Sequence, residues 1–277
     1  MQAETTIGFV GAGNMAAALI GGLIKRGRKP DRVVVFDPDT TKTDTLRARF
    51  SIEVAADNAG LLRDCDVVVL AVKPQVMHKV LAPLAAAVPA MPPLIVSIAA
   101  GIRIASIEKW LGRRLAVVRV MPNTPSLVGA GASGLYANEL ANEDQRDTAE
   151  SLMRAVGIAA WVADERQLDT VTGLSGSGPA YFMLFMQAMV EGAVERGLAR
   201  DTALALVIQT CRGAAELAGE SKESLEQLRI NVTSPGGTTE RGLETMRAAG
   251  IEQIIASAVK AAADRGDELA TTLAGER

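Results

Sequence analysis

Through the first half of the chain, short β-branched runs alternate with Ala- and Leu-rich amphipathic stretches. "TIGFV", "VVVFD", "DVVVLAV", "PLIVSI" and "LAVVRVM" each read as a strand, and the segments between them carry apolar positions at helical spacing. Strands alternating with helices predict βαβ units and a parallel sheet. The run from Val67 to Val72 is apolar without polar alternation, as expected of a strand covered by helices on both faces.

From about Asp164 the strand signal stops. Leu168 to Gly197, Asp201 to Ala218, Ser224 to Ile230, Thr238 to Ala249 and Ile251 to Leu273 all read as helices. The pattern predicts an α/β fold with two domains. Residues 1–164 form a Rossmann-type, doubly wound parallel sheet, and residues 165–277 form an all-helical domain. The apolar stretch "YFMLFMQAMV" is too short before Glu191 to cross a bilayer, and its Met and Phe residues suit a core or a subunit interface. Ala188 and Gly192, four apart, would permit close helix crossing.

The first strand runs straight into a glycine turn. Gly11, Ala12, Gly13, Asn14, Met15 and Ala16 give the G-x-G-x-x-A form of a dinucleotide fingerprint at the mouth of a helix. Gly11 allows the tight turn, Gly13 lets backbone amides approach a pyrophosphate, and Ala16 keeps helix and sheet close. Asp37 closes the second strand, where a carboxylate can take a ribose hydroxyl and repel a 2'-phosphate, which favours NADH. The competing view makes "DPDT" a turn with Asp39 or Thr40 capping the next helix. Lys73 ends a strand on the ligand-binding edge, either meeting a ribose or extending into solvent. His78 is expected at the surface or partly exposed.

Composition narrows the partners. The chain is 48% apolar and 22% charged with a net charge of -3, which suits a compact fold and argues against a nucleic-acid surface. Cys65 and Cys211 have no spacing that reads as a metal clip or a disulfide framework, so no metal is expected. The N-terminal "MQAETTIGFVGAG" lacks the basic region of a signal peptide, and a cytoplasmic location is expected.

A second glycine turn, "NVTSPGGTTERGL" at 231–243, precedes an amphipathic helix. Read alone it is an N-cap, Ser234 followed by proline at the first helical position. Two consecutive glycines weaken a helix unless backbone must approach something closely, so an anion site is the alternative. With "GFVGAGNMA", "AVKPQ" at 71–75, "MPNTP" at 121–125 and "GLSGSGPAYF" at 173–182, this stretch closely resembles pyrroline-5-carboxylate reductases, along essentially the whole chain.

The resemblance implies a Rossmann domain followed by a helical domain through which subunits dimerise, often with dimers joined into a ring. It implies reduction of 1-pyrroline-5-carboxylate to L-proline with NADPH or NADH, the last step of proline biosynthesis. By similarity, Val10, Gly11, Ala12, Gly13, Asn14 and Met15 line the pyrophosphate, and Asp37 and Asn58 lie at the adenosine end. Ala71, Val72, Lys73 and Pro74 with Ala99 and Ala100 line the nicotinamide side, and Asn231 also reaches the cofactor. Ser234, Gly237, Thr238 and Thr239 match the substrate loop, with Thr239 as the catalytic hydrogen-bond donor to the ring nitrogen. Asp37 departs from the non-acidic residue common at that position, and the glutamate that relatives carry near substrate falls in the segment "GESKESLEQ", where neither Glu223 nor Glu226 is assigned to it.

The acid–base inventory fits imine chemistry. Between Lys109 and Lys222 there is no Lys and no His, whereas oxidation of an alcohol calls for a base such as His, Lys or Tyr. A protonated C=N is already electrophilic, and hydride addition leaves a neutral amine, so positioning dominates. A β-hydroxyacid dehydrogenase and a non-catalytic dinucleotide-binding regulator are the alternatives. An apolar helical half predicts an active site needing two subunits.

Overall fold

The computed structural model describes residues 5–275. The first elements are β1 (Ile7–Val10), α1 (Asn14–Lys25), β2 (Val33–Phe36), α2 (Thr40–Phe50), β3 (Glu53–Val54), α3 (Asn58–Asp64), β4 (Val67–Leu70) and α4 (Pro74–Leu81). They are followed by β5 (Leu94–Ser97), α5 (Ile104–Trp110), β6 (Val117–Met121), β7 (Gly131–Ala137), α6 (Glu143–Arg154), β8 (Gly157–Trp161) and α7 (Gln167–Val171). Five further helices complete the chain: α8 (Gly178–Glu195), α9 (Arg200–Glu220), α10 (Leu225–Asn231), α11 (Thr238–Ala248) and α12 (Ile251–Gly275).

The strands form one sheet in the order β3-β2-β1-β4-β5-β6-β7-β8. All pairings are parallel except β6 with β7. The order reverses at β1, which puts a crevice at the carboxyl ends of β1 and β4, where doubly wound sheets bind ligands. Successive strand residues serve opposite cores. Ile7, Phe9, Val67 and Val69 pack with Leu19 and Leu23 of α1 and Met153 of α6, whereas Val10, Val68 and Leu70 pack with Leu61, Met77 and Trp110 on the other face. That two-sided burial is why the strands read as unbroken apolar runs.

Three strands escape the sequence pattern: the two-residue edge strand β3, and β7 and β8. "GASGLYA" is rich in glycine because a side chain at Gly134 would come 2.8 Å from Val171, and one at Gly131 would collide with Ser126. Close approach replaces the β-branched residues by which strands are usually read. The helix expected from Leu168 to Gly197 is also not continuous. After α7 the chain makes a π-helical stretch, Thr172–Gly176, in which the Ser177 N–H donates to the Thr172 carbonyl at 2.8 Å, before α8 begins.

The chain divides into two compact units. One comprises residues up to Ser177 together with those from Lys260 onward, and the other is Gly178–Val259. Strand signal ends near 164, but α7 and the end of α12 belong to the sheet-bearing unit because charged side chains tie them there. Arg103 bonds Asp169 and Asp267, and Leu273 joins the core beside α5.

Within the second unit α8 and α9 pack through Val190, Ala203 and Val207, and Arg200 makes a two-pronged ion pair with Glu191 at 2.7 Å. This is a small core. α8 is not buried on every side within the chain, since Phe182, Met183 and Leu184 are each more than 60% exposed. No helix among the described residues is long and apolar enough to cross a membrane.

Candidate functional site

The carboxyl edge of β1, β2 and β4 opens onto a cleft of about 720 Å³. Gly11 turns the chain there at φ +102°, with its N–H on the Phe36 carbonyl at 2.8 Å. A Cβ at Gly11 would lie 2.9 Å from the Ala71 carbonyl and from Val72, so no other residue fits. Gly13 is different. A side chain there would meet nothing within 4 Å, because its backbone faces the open cleft.

Gly13 is the N-cap of α1 and offers no side-chain cap to the first-turn amides. An uncapped helix start beside open space carries unpaired donors and partial positive charge, which suits a pyrophosphate. Asn58, at the start of α3, lines the same cleft, and its Oδ1 is buried without a hydrogen-bond partner. A buried polar atom left without a partner is costly, so an incoming donor is well served there. Both observations fit a dinucleotide in this cleft.

Of the residues expected at the cofactor, Gly11, Gly13, Asp37, Asn58, Ala71, Val72 and Lys73 share this lining. Val10, Ala12, Asn14, Met15, Pro74, Ala99 and Ala100 lie outside it. Val10, Ala12 and Ala99 are buried, so only their backbone could serve a ligand. Pro74 opens α4 immediately after Lys73, the exposed N-cap. His78 is half-buried and sets its ring against Trp110, with centroids 5.4 Å apart.

Lys42 and Lys79, which no sequence motif marks, also line the cleft. Asp37 does not project freely into it. Its Oδ2 accepts the Ala12 N–H at 2.9 Å and its Oδ1 accepts the Asp39 N–H at 3.0 Å. Lys42 stands 3.8 Å from Asp37 and 3.4 Å from Asp39, and holds the Asp39 carboxyl below its ordinary value. Asp39 caps α2 by accepting the Thr41 N–H at 3.2 Å.

The second unit carries the other glycine turn. Gly236 adopts φ +70°, and a side chain at Gly237 would lie 2.8 Å from the Ser234 carbonyl. Gly237 is the N-cap of α11 without a side-chain cap, and Ser234, Thr238 and Thr239 are exposed around it. The Gly236 N–H already donates to a carboxylate, Glu240 Oε2, at 2.6 Å. Asn231 closes α10 with its side chain spent locally, accepting from Gln227 and donating to Glu223, each at 2.8 Å.

A charged network runs through the sheet-bearing unit. Arg119, 4% exposed on β6, donates to Glu165 at 2.8 Å, and the same Glu165 oxygen accepts the Ile104 N–H at 2.8 Å. Burial holds the Arg119 guanidinium below its ordinary value despite Glu165. Asn123, in the "MPNTP" stretch, accepts the Ala132 N–H and donates to the Ser175 carbonyl, stapling β7 to the π-helical turn.

These features match known proteins closely. The family described as pyrroline-5-carboxylate reductase dimerisation matches residues 165–269, and that described as NADP oxidoreductase, coenzyme F420-dependent, matches residues 6–101. The pyrroline-5-carboxylate reductase of Pseudomonas aeruginosa is 49% identical, covering 96% of this chain and 97% of its own. That of Haemophilus influenzae is 41% identical, covering 96% and 97%. Among solved structures, a pyrroline-5-carboxylate reductase from Coxiella burnetii superposes with a TM-score of 0.92 at 43% identity, covering 96% of this chain and 98% of that one. The pyrroline carboxylate reductase of Plasmodium falciparum, solved with NADP bound, gives 0.84 at 30% identity, covering 98% and 100%. Similarity of this degree along both units, with both glycine turns in place, makes the chain a member of the pyrroline-5-carboxylate reductase family.

Proposed function

We propose a division of labour for the reduction of 1-pyrroline-5-carboxylate to L-proline, the reaction this family member performs in proline biosynthesis. NADPH or NADH binds in the cleft at the carboxyl edge of the sheet, held by the Gly11–Met15 turn, Asp37, Asn58, the Ala71–Pro74 segment and the backbone at Ala99 and Ala100. Bound there, it supplies a hydride for the C=N carbon. Asn231 belongs to the same binding set by family similarity.

The substrate carboxylate is held by the backbone and hydroxyls of Ser234, Gly237, Thr238 and Thr239. The observation behind this assignment is that the loop already binds a carboxylate, its own Glu240, through the Gly236 amide at 2.6 Å. The Gly237 N–H turns back onto the Ser234 carbonyl at 3.0 Å, and the start of α11 adds partial positive charge beside the Gly236 amide. Thr239 hydrogen-bonds the ring nitrogen. As hydride adds to carbon, the C=N pair shifts to nitrogen and the iminium becomes a neutral amine, so no side chain must take a proton from carbon or oxygen.

The subunits pair through the helical unit. Its exposed Phe182, Met183, Leu184 and Phe185 form the kind of apolar surface that a partner copy covers. The enzyme works as a homodimer or a larger assembly of dimers in the cytoplasm. The test is oxidation of NADPH and NADH, followed in parallel at saturating 1-pyrroline-5-carboxylate, with proline measured as product. Stoichiometric proline is the expected result, and dinucleotide binding without turnover would overturn it.

A further inference from the structure

We propose that Lys42, and not Asp37, sets the nucleotide preference of this enzyme, and that Lys42 contacts the 2'-phosphate of NADPH. The inference rests on the cofactor cleft assigned above.

An acidic residue at the end of β2 ordinarily favours NADH in two ways: it accepts hydrogen bonds from the ribose hydroxyls and repels a phosphate. Asp37 is poorly placed for the first of these. Each of its carboxylate oxygens already accepts a backbone N–H, Oδ2 from Ala12 at 2.9 Å and Oδ1 from Asp39 at 3.0 Å. The first bond ties the end of β2 to the middle of the glycine turn, and only 12% of the side chain is exposed. Asp37 is therefore a brace for the phosphate-binding turn.

Its charge is also opposed. Lys42 lies within 4 Å of both Asp37 and Asp39 and leaves half of its own side chain in solvent, on the lining of the cleft. An ammonium on a flexible stem can keep its carboxylates and still turn toward an incoming dianion. Lys73 and Lys79 line the same cleft, but neither forms an ion pair with Asp37. With Lys42 beside it, the acidic end of β2 is no longer a simple barrier to a 2'-phosphate. Without Lys42, the carboxylates of Asp37 and Asp39 would face that phosphate unopposed.

The decisive measurement is calorimetric binding of two cofactor fragments to the assembled enzyme, 2',5'-ADP and 5'-AMP, which differ only in the 2'-phosphate. The native enzyme should prefer 2',5'-ADP by about tenfold or more, less so in high salt, as one screened ion contact predicts. Lys42→Met should abolish that preference, and Lys42→Arg should keep it. Asp37→Asn should weaken both fragments together, because it removes one acceptor from the brace.

Three results would overturn the proposal: an unchanged preference in Lys42→Met, a loss that follows Lys79→Met instead, or a selective gain for 2',5'-ADP in Asp37→Asn. Failure of native enzyme to bind either fragment would remove the cofactor cleft itself and the proposal with it. The ratio of kcat/KM for NADPH over NADH should fall in parallel with the fragment preference.

Discussion

The Glu240 carboxylate reaches back across the start of α11 and accepts the Gly236 N–H at 2.6 Å. A side chain of the chain itself thus sits on an amide of the loop assigned to the substrate's carboxylate. An incoming anion must displace it and bind beside its charge. Replacing Glu240 with Gln keeps the size and removes the charge, so KM for 1-pyrroline-5-carboxylate should fall about three- to tenfold, equivalent to about 0.7–1.4 kcal/mol. Steady-state kinetics decide it. A higher KM would make Glu240 a brace for the loop and nothing more.

Thr239 gives a sharper contrast between two substitutions. It is exposed in the first turn of α11 and contributes little to packing, so truncation should act on chemistry before stability. Loss of one hydrogen bond that strengthens as the ring nitrogen gains its electron pair should cost roughly 10²-fold in kcat. Thr239→Ala should show that loss, and Thr239→Ser should recover most of it. Unchanged kcat in Thr239→Ala, with thermal melting intact, would remove Thr239 from the mechanism.

Much of the fold is legible in the sequence because the two periodicities are strong. β1, β2, β4, β5 and β6 are buried from both sides and advertise themselves as apolar runs, and both glycine turns sit where strand or loop meets helix. What stays hidden is tertiary. β7 uses Gly131 and Gly134 to let Ser126 and Val171 come close, and local sequence cannot display that neighbour. Asp37 is evident from the strand pattern as the acid closing β2. Its capture by Ala12 and Asp39, and the nearness of Lys42, depend on how the β2–α2 turn folds back over the glycine turn. The absence of Lys and His between 109 and 222 is the most discriminating chemical clue, because it removes two of the three usual bases of alcohol chemistry and leaves only Tyr136 and Tyr181 in that stretch.

Arg119 and Glu165 should respond unequally to truncation. Glu165→Ala strands a buried guanidinium and leaves the Ile104 N–H without its acceptor, and should cost about 3–5 kcal/mol. Arg119→Met removes the charge and fills its space, leaving Glu165 its bond to Ile104, and should cost less. Asp267→Ala should cost under about 1 kcal/mol, because that carboxylate is 67% exposed and its contact with Arg103 is screened. Urea unfolding of the three variants should rank them in that order.

Cys65 makes stability depend on pH at the alkaline end. It lies over Gly8, where a Cβ would come 2.8 Å from its sulfur, and burial, helped by Asp64 and Asp66, pushes its thiol from the ordinary 9.0 up to about 12. Below pH 9 the folded and unfolded thiols are both protonated, and the group contributes no pH dependence. Between 9 and about 12 only the unfolded thiol ionises, so the unfolded state gains and stability falls by about 1.4 kcal/mol per pH unit. Lysines and tyrosines titrate in the same range, so the measurement is a difference. Against Cys65→Ala in a Cys211→Ser background, the parent should lose about 2 kcal/mol more between pH 8 and about pH 10.5. In the same background, a thiol reagent at pH 8 should label Cys65 only after unfolding. Equal alkaline slopes, or rapid labelling of the native enzyme, would mean that water reaches the sulfur between Gly8 and α3.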